Sequence, residues 1–181
     1  MARKILERVY VWDRFVRLHH WSLVALLTLD GFALDGSDAP HHWVGYAAAG
    51  LVGARLIWGA VGPFRARFTS FFPTPARIRA YLGAPRQPMR GHNPLGAVMV
   101  LLLLALVLAL GATGWLMGTD TYWGDEKLEA LHEALAYALL GCVLAHVGGV
   151  LLVSWRTRVN LPRAMLTGYK ARGDDALPFR D

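Results

Sequence analysis

The chain alternates long apolar runs with short polar connections. Apolar stretches fall over residues 16–35, 41–62, 93–117 and 131–155, each close to the roughly 20 residues that a helix needs to cross the hydrocarbon core of a bilayer. The pattern predicts an all-α fold: an integral membrane four-helix bundle, one membrane domain over residues 1–181, with a loop at 63–92 and a tail at 156–181. The third run, LGAVMVLLLLALVLALGATGWLM, carries no charge, whereas the first holds His19, His20 and Asp30 and the second holds Arg55. A polar group in a lipid-spanning helix is expensive unless it has a partner, so these interruptions are the positions to read for function. In the loop, Pro73, Pro75, Pro85 and Pro88 with Phe71 and Phe72 mark a connector in which residues 74–81 are expected to form a short interfacial helix. A charged stretch with Trp12 and Asp13 precedes the first run and no small-residue cleavage site closes it, so that run is expected to stay as structure.

Composition agrees with the pattern. Of 181 residues, 55% are hydrophobic and 18% charged, an apolar share above that of ordinary soluble domains. Disordered and disulfide-built chains are excluded. The lone Cys142 excludes internal disulfides, Cys-x-x-Cys metal sites and the Cys-x-x-Cys-His attachment of a c-type haem. A formal charge of +6 would suggest nucleic acid in a soluble protein. Here the placement of the charges outweighs their sum, and no nucleic-acid partner is expected. Apart from Arg55 and Lys127, every Lys and Arg falls in residues 1–17 (Arg3, Lys4, Arg8, Arg14, Arg17), in the loop (Arg65, Arg67, Arg77, Arg79, Arg86, Arg90) or in the tail (Arg156, Arg158, Arg163, Lys170, Arg172, Arg180). The positive-inside rule then predicts both termini and the loop in the cytoplasm, in a multi-pass membrane protein. The opposite connections are acidic, with Asp35, Asp38, Asp120, Asp125, Glu126 and Glu129. Such a face serves solubility or docks a basic partner.

The histidines sort by depth. His19 and His20 fall near the inner end of the first helix, His41 and His42 near the outer end of the second, and His132 at the outer end of the fourth. His146 follows 14 residues after His132, about 21 Å deeper at 1.5 Å per residue and only about 40° short of four whole turns. The fourth helix thus offers one imidazole to each layer, and two facing pairs follow: His132 with His41 or His42, and His146 with His19 or His20. With no converging thiols or carboxylates, two facing imidazoles in an apolar bundle suit the axial positions of a haem. Without a covalent attachment motif the group would be haem b, one at each layer. Gly45 lies one turn after His41, and Gly31, Gly50, Gly141 and Gly148 offer room for close approach. Haem propionates need cationic partners. Arg17 lies three residues before His20, and Arg55 lies 14 after His41, on its stripe but at the inner depth, and is expected on an inner-haem propionate. Sharing a face with Arg55 and Gly45 favours His41 over His42.

Other polar residues have plainer roles. Asp30 is expected at the interface rather than as a proton carrier, His92 as an interfacial cap of the third helix or a quinone or propionate contact, and Glu133 as an acid in a first helical turn. Cys142 is expected simply to be a small buried residue. Trp12, Trp21, Trp43, Trp58, Trp123 and Trp155 are expected to anchor the interfaces.

Taken together, Trp12-Asp13 with Arg17 and His20-Trp21, His41-His42-Trp43-Val44-Gly45-Tyr46, Arg55-Leu56-Ile57-Trp58-Gly59, Gly91-His92-Asn93-Pro94-Leu95-Gly96, Leu131-His132-Glu133 with His146, and Asn160-Leu161 with Met165 and Gly168 form a specific set. The chain resembles the bacterial cytochrome b561 family over about residues 10–170, in the branch related to the b-type cytochrome subunits of nickel-iron hydrogenases. The resemblance implies a four-helix membrane electron carrier with two haems b, exchanging electrons between membrane quinone or quinol and a periplasmic redox protein such as a c-type cytochrome or hydrogenase. It also implies that His20 is the inner ligand with His146, and His41 the outer ligand with His132. The doublets depart from the family's single histidines and keep His19 and His42 as fallback ligands. Self-association as a homodimer is left open. Two other classes compete: a membrane metal-binding or transport protein, which needs carboxylates or thiols among the histidines, and a structural anchor subunit, which leaves the imidazoles without a task.

Overall fold

The computed structural model describes residues 5–34, 36, 39–83, 89 and 91–173. Arg3, Lys4, Asp35, Asp38, Pro85, Arg86, Pro88, Arg90 and Arg180 lie outside them, as does the side chain of Arg172. The order is β1 (Ile5–Tyr10), α1 (Arg14–Ala33), α2 (Ala39–Val61), a 3-10 turn (Phe64–Ala66), α3 (Phe68–Phe71), α4 (Pro75–Gly83), α5 (Pro94–Met117), α6 (Glu126–Thr157), α7 (Leu161–Thr167) and β2 (Tyr169–Gly173).

Helix starts follow local chemistry. Short polar side chains satisfy the first free N–H groups: Asp13 accepts from Val16 N, Asn93 from Gly96 N with Pro94 in the first turn, and Asn160 from Arg163 N. Asp125 accepts from Lys127 N and Leu128 N, which starts α6 at Glu126 and makes it 32 residues long. The first-turn acids of α6 are therefore Glu126 and Glu129, and Glu133 falls further along.

Among the described residues, three helices, α2, α5 and α6, are long and apolar enough to cross a membrane. The 20-residue α1 is not among them, because Arg17, His19, His20 and Asp30 dilute its apolar residues. It packs on α2, α2 packs on α5, and α5 packs on α6. Their shared core is Ala48 and Val52 of α2, Leu104 and Val107 of α5, and Leu139 of α6. By contrast, α6 makes no comparable backbone approach to α1 or α2. Large apolar side chains such as Phe32, Ile57, Leu144 and Leu151 point outward, as expected where the surrounding solvent is lipid.

The all-α expectation is corrected in one respect. Strands β1 and β2 pair antiparallel, with Tyr10 opposite Tyr169 and Arg8 opposite Ala171, and so bring both terminal segments to one end of the helices. Gly168 makes the join possible. At φ +87° it caps α7, and its carbonyl accepts from Val11 N at 2.8 Å and Trp12 N at 3.2 Å. That backbone conformation favours glycine. Lys170 of β2 is buried and ties the ribbon to the loop, its Nζ donating to the carbonyls of Met89 at 2.9 Å and Gly91 at 2.6 Å.

At the same end, α2 runs into the turn that carries Phe68. Gly59 is buried, and a Cβ there would enter the Phe68 ring, which itself lies under the Arg55 guanidinium at 4.7 Å. Gly59→Ala is therefore expected to push Phe68 off Arg55 and to cost about 1–3 kcal/mol, the usual range for overpacking. Thermal unfolding in detergent measures it, and an unchanged midpoint would mean that Phe68 moves aside freely.

Candidate functional site

The helices bring the histidines together in two places. The ring centres of His20 on α1 and His146 on α6 are 6.5 Å apart, and those of His41 on α2 and His132 on α6 are 6.2 Å apart. The other doublet members turn elsewhere. His19 is buried, hydrogen-bonds the Leu51 backbone of α2 and stacks on Phe15 at 6.2 Å. His42 is exposed, its ring 6.0 Å from that of His41.

These separations bear on what could lie between the rings. A metal–imidazole nitrogen bond is about 2.0 Å, and C–N bonds of about 1.33 Å put the centre of a five-membered ring about 1.1 Å behind its nitrogen. Two imidazoles sharing one metal thus have centres about 6.2 Å apart. Both pairs fit that spacing without moving. Each offers two nitrogens, and among the described residues no three His, Cys, Asp or Glu side chains gather as a metal ion's ligand set. A site of this kind suits a metal already held by a macrocycle better than a bare ion, which seeks four or more protein ligands. Half-buried Gly45, one turn from His41, has nothing within 4 Å of where a Cβ would stand, whereas Gly31, Gly50, Gly141 and Gly148 lie exposed on their helices. The residues fit haem b.

The surrounding polar groups differ between the two pairs. At the end away from the terminal ribbon, Thr113 Oγ1 lies 2.7 Å from His132 Nδ1 and also reaches the Ala109 carbonyl at 2.9 Å. A hydroxyl has one proton. If it is donated to Ala109, the oxygen accepts from Nδ1–H and Nε2 keeps its lone pair. A Cβ at Gly114 would make ordinary contact with His132 Cε1 at 3.4 Å, so α5 runs close beside that ring. On the facing side, His41 Nδ1 is 3.0 Å from Asp30 Oδ1, too oblique for a hydrogen bond, because both atoms are buried without such a partner. Asp30 is thus turned onto His41, because its helix packs on α2.

At the ribbon end, Arg17 donates to the Leu166 carbonyl at 2.6 Å and Arg55 to the Ala66 carbonyl at 3.0 Å. Each keeps a buried nitrogen without a partner, Nε of Arg17 and Nη1 of Arg55. Among the described residues, every buried side-chain polar atom lacking a hydrogen bond belongs to Arg17, His19, His20, Asp30, His41 or Arg55. A cleft of about 250 Å³ is lined by Arg14, Arg17, Leu18, Trp21 and Leu166, and the Trp21 ring lies 5.1 Å from that of His20.

His92 is not a cap. Asn93 caps α5, and the His92 ring is held between Trp12 at 4.4 Å and Phe71 at 4.2 Å. Burial, then the nearby Lys170 and Arg55 cations and His146, push its pKa down to about 3, while burial brings Lys170 down to about 8. The tryptophans divide likewise. Trp43, Trp123 and Trp155 are exposed, whereas Trp12 packs on His92, and Trp58 packs on Phe15 and reaches Asp13 Oδ2 at 3.4 Å.

Sequence reasoning passed over Thr113, and Lys170 beyond its charge. Thr113 is a hydroxyl in an otherwise apolar run, a weak signal that gains meaning only once α6 is packed beside it.

No curated protein and no solved structure matched the chain. A sequence model of the family described as prokaryotic cytochrome b561 matches residues 11–168, which span both histidine pairs and both arginines. With this match and a helical membrane fold in hand, the chain belongs to the prokaryotic cytochrome b561 family, haem-b-binding proteins of membrane electron transfer.

Proposed function

We propose that this protein is a di-haem cytochrome that relays single electrons across the bacterial inner membrane, between the quinone pool and a periplasmic redox protein such as a c-type cytochrome or hydrogenase. The observation that carries it is the pair of imidazoles at each of two levels of α6, with centres 6.2 and 6.5 Å apart. α1 completes a four-helix bundle, with His19, His20 and Asp30 turned toward the other helices. The basic loop and tail put the terminal ribbon in the cytoplasm, so His20 and His146 hold an inner haem b, and His41 and His132 an outer one. His19 is a strut between α1 and α2, and His42 lies outside the pair.

When bound, haem supplies a reversible one-electron couple whose potential depends on its ligands and surroundings. The protein's task is to hold it. The four histidines fix orientation, the spare donors of Arg17 and Arg55 balance inner propionates, Gly45 leaves room for the outer macrocycle, and the apolar walls keep water out. No acid, base or nucleophile is required. Quinone exchanges electrons at the cytoplasmic cleft, where Trp21, Leu18 and Leu166 offer apolar walls and Arg14 and Arg17 polar contacts. Reduced-minus-oxidised absorbance of the purified protein tests the proposal: a sharp alpha band with about two haems per chain is expected. No band would leave a structural anchor, and bound zinc or copper in its place a metal carrier.

A further inference from the structure

The two pairs differ in what lies beside Nδ1: the outer pair meets a hydroxyl and a carboxylate, and His20 of the inner pair meets neither. On the outer side, Nδ1 of His132 meets the Thr113 hydroxyl at 2.7 Å, and Nδ1 of His41 meets the Asp30 carboxylate at 3.0 Å. On the inner side, Nδ1 of His20 is buried with no hydrogen-bond partner. A ligating histidine is oriented, and its electron density set, by whatever its other ring nitrogen faces. A carboxylate beside an axial imidazole favours the ferric state of the iron, because reduction adds an electron to a site that already faces a negative charge, and a low-dielectric interior screens that repulsion poorly. The Asp30 oblique approach forgoes a full hydrogen bond and leaves this charge effect in place. Thr113 carries no charge, so it fixes the His132 ring without biasing the iron.

We propose that Asp30 and Thr113 are positioning residues for the outer haem: both direct Nε2 of their histidines toward the iron, and Asp30 lowers the outer midpoint potential. The proposal rests on the di-haem reading, and the experiment separates the two. Haem content and absorbance of the wild-type protein come first; fewer than two haems per chain sinks the di-haem reading itself, before any potential is taken. Spectroelectrochemical titration then assigns the outer haem as the one absent from His132→Ala. In Asp30→Asn the ferrous-to-ferric ratio of the outer haem, at a fixed ambient potential, is expected to rise about tenfold, a shift of about 59 mV for one electron, with the inner haem unmoved. Asp30→Glu restores the wild-type value. Thr113→Val keeps both midpoints nearly in place but changes the low-spin EPR signal of the outer haem, because the His132 ring is free to rotate. An outer midpoint unmoved in Asp30→Asn, or both midpoints moving alike, overturns the assignment. If Asp30→Asn instead loses the outer haem, retention in Asp30→Glu supports the proposal and its loss there too overturns it.

Discussion

If each histidine pair holds a haem as proposed, replacing His146 with alanine is expected to yield a protein that keeps one haem of two. The substitution removes one of the two imidazoles that would hold the inner haem, at the ribbon end, where the ring centres of His20 and His146 are 6.5 Å apart. Alanine is the best helix former, so α6 itself should persist. His132 lies about 21 Å away along the same helix, and its Nδ1 is held by Thr113 on α5, which the change does not touch. The outer haem should therefore remain, with its midpoint close to the wild-type value. Haem per chain and the residual alpha band measure the result. His20→Ala should reproduce it, and His41→Ala or His132→Ala should remove the other haem. His19→Ala and His42→Ala should each leave both. Loss of neither haem in His146→Ala, with the protein expressed normally, would overturn the pairing, and so would loss of a haem in His42→Ala.

Much of this geometry could be read before any coordinates, and the reasons are specific. Fourteen residues are nearly four helical turns, so His132 and His146 had to share a stripe of α6 at two depths. Which member of each doublet faces that stripe was not fixed, because neighbours on a helix point about 100° apart and the rotation of α1 about its axis is set by packing. His19 turns to the Leu51 backbone and His20 to α6. Arg55 shows a similar limit. Its depth and stripe could be counted, but not the Ala66 carbonyl and Phe68 ring that a loop folds back against it. Asp30 could be given a depth, but only the placement of α2 reveals His41 beside it. The terminal ribbon was hidden for another reason: residues 5–10 and 169–173 are short and mixed in polarity, and their pairing spans nearly the whole chain. Local patterns carry helices; long-range pairing between short segments leaves little trace in them.

Acid is expected to weaken the ribbon end through His92. Its ring is enclosed by Trp12 and Phe71, and burial together with the Lys170 and Arg55 cations and His146 brings its pKa from 6.5 to about 3. A base whose folded pKa lies below its unfolded value opposes folding wherever the unfolded chain takes up the proton and the folded one cannot. Stability is thus fully present above pH 6.5 and is lost as the pH falls toward 3. At 1.36 kcal/mol per unit the loss is on the order of 5 kcal/mol, a large part of an ordinary domain's stability. Other groups of the chain also titrate in acid, so the wild-type curve alone does not isolate His92. His92→Phe does: it keeps a ring between Trp12 and Phe71 and removes the proton site. Thermal unfolding of both proteins in detergent, from pH 7 down to pH 4, should show the wild-type midpoint falling more steeply than the variant's, with the gap opening below about pH 6.5. Parallel curves would mean that the ring is protonated in the folded protein as readily as in the unfolded chain, and that the Trp12–Phe71 enclosure opens to water.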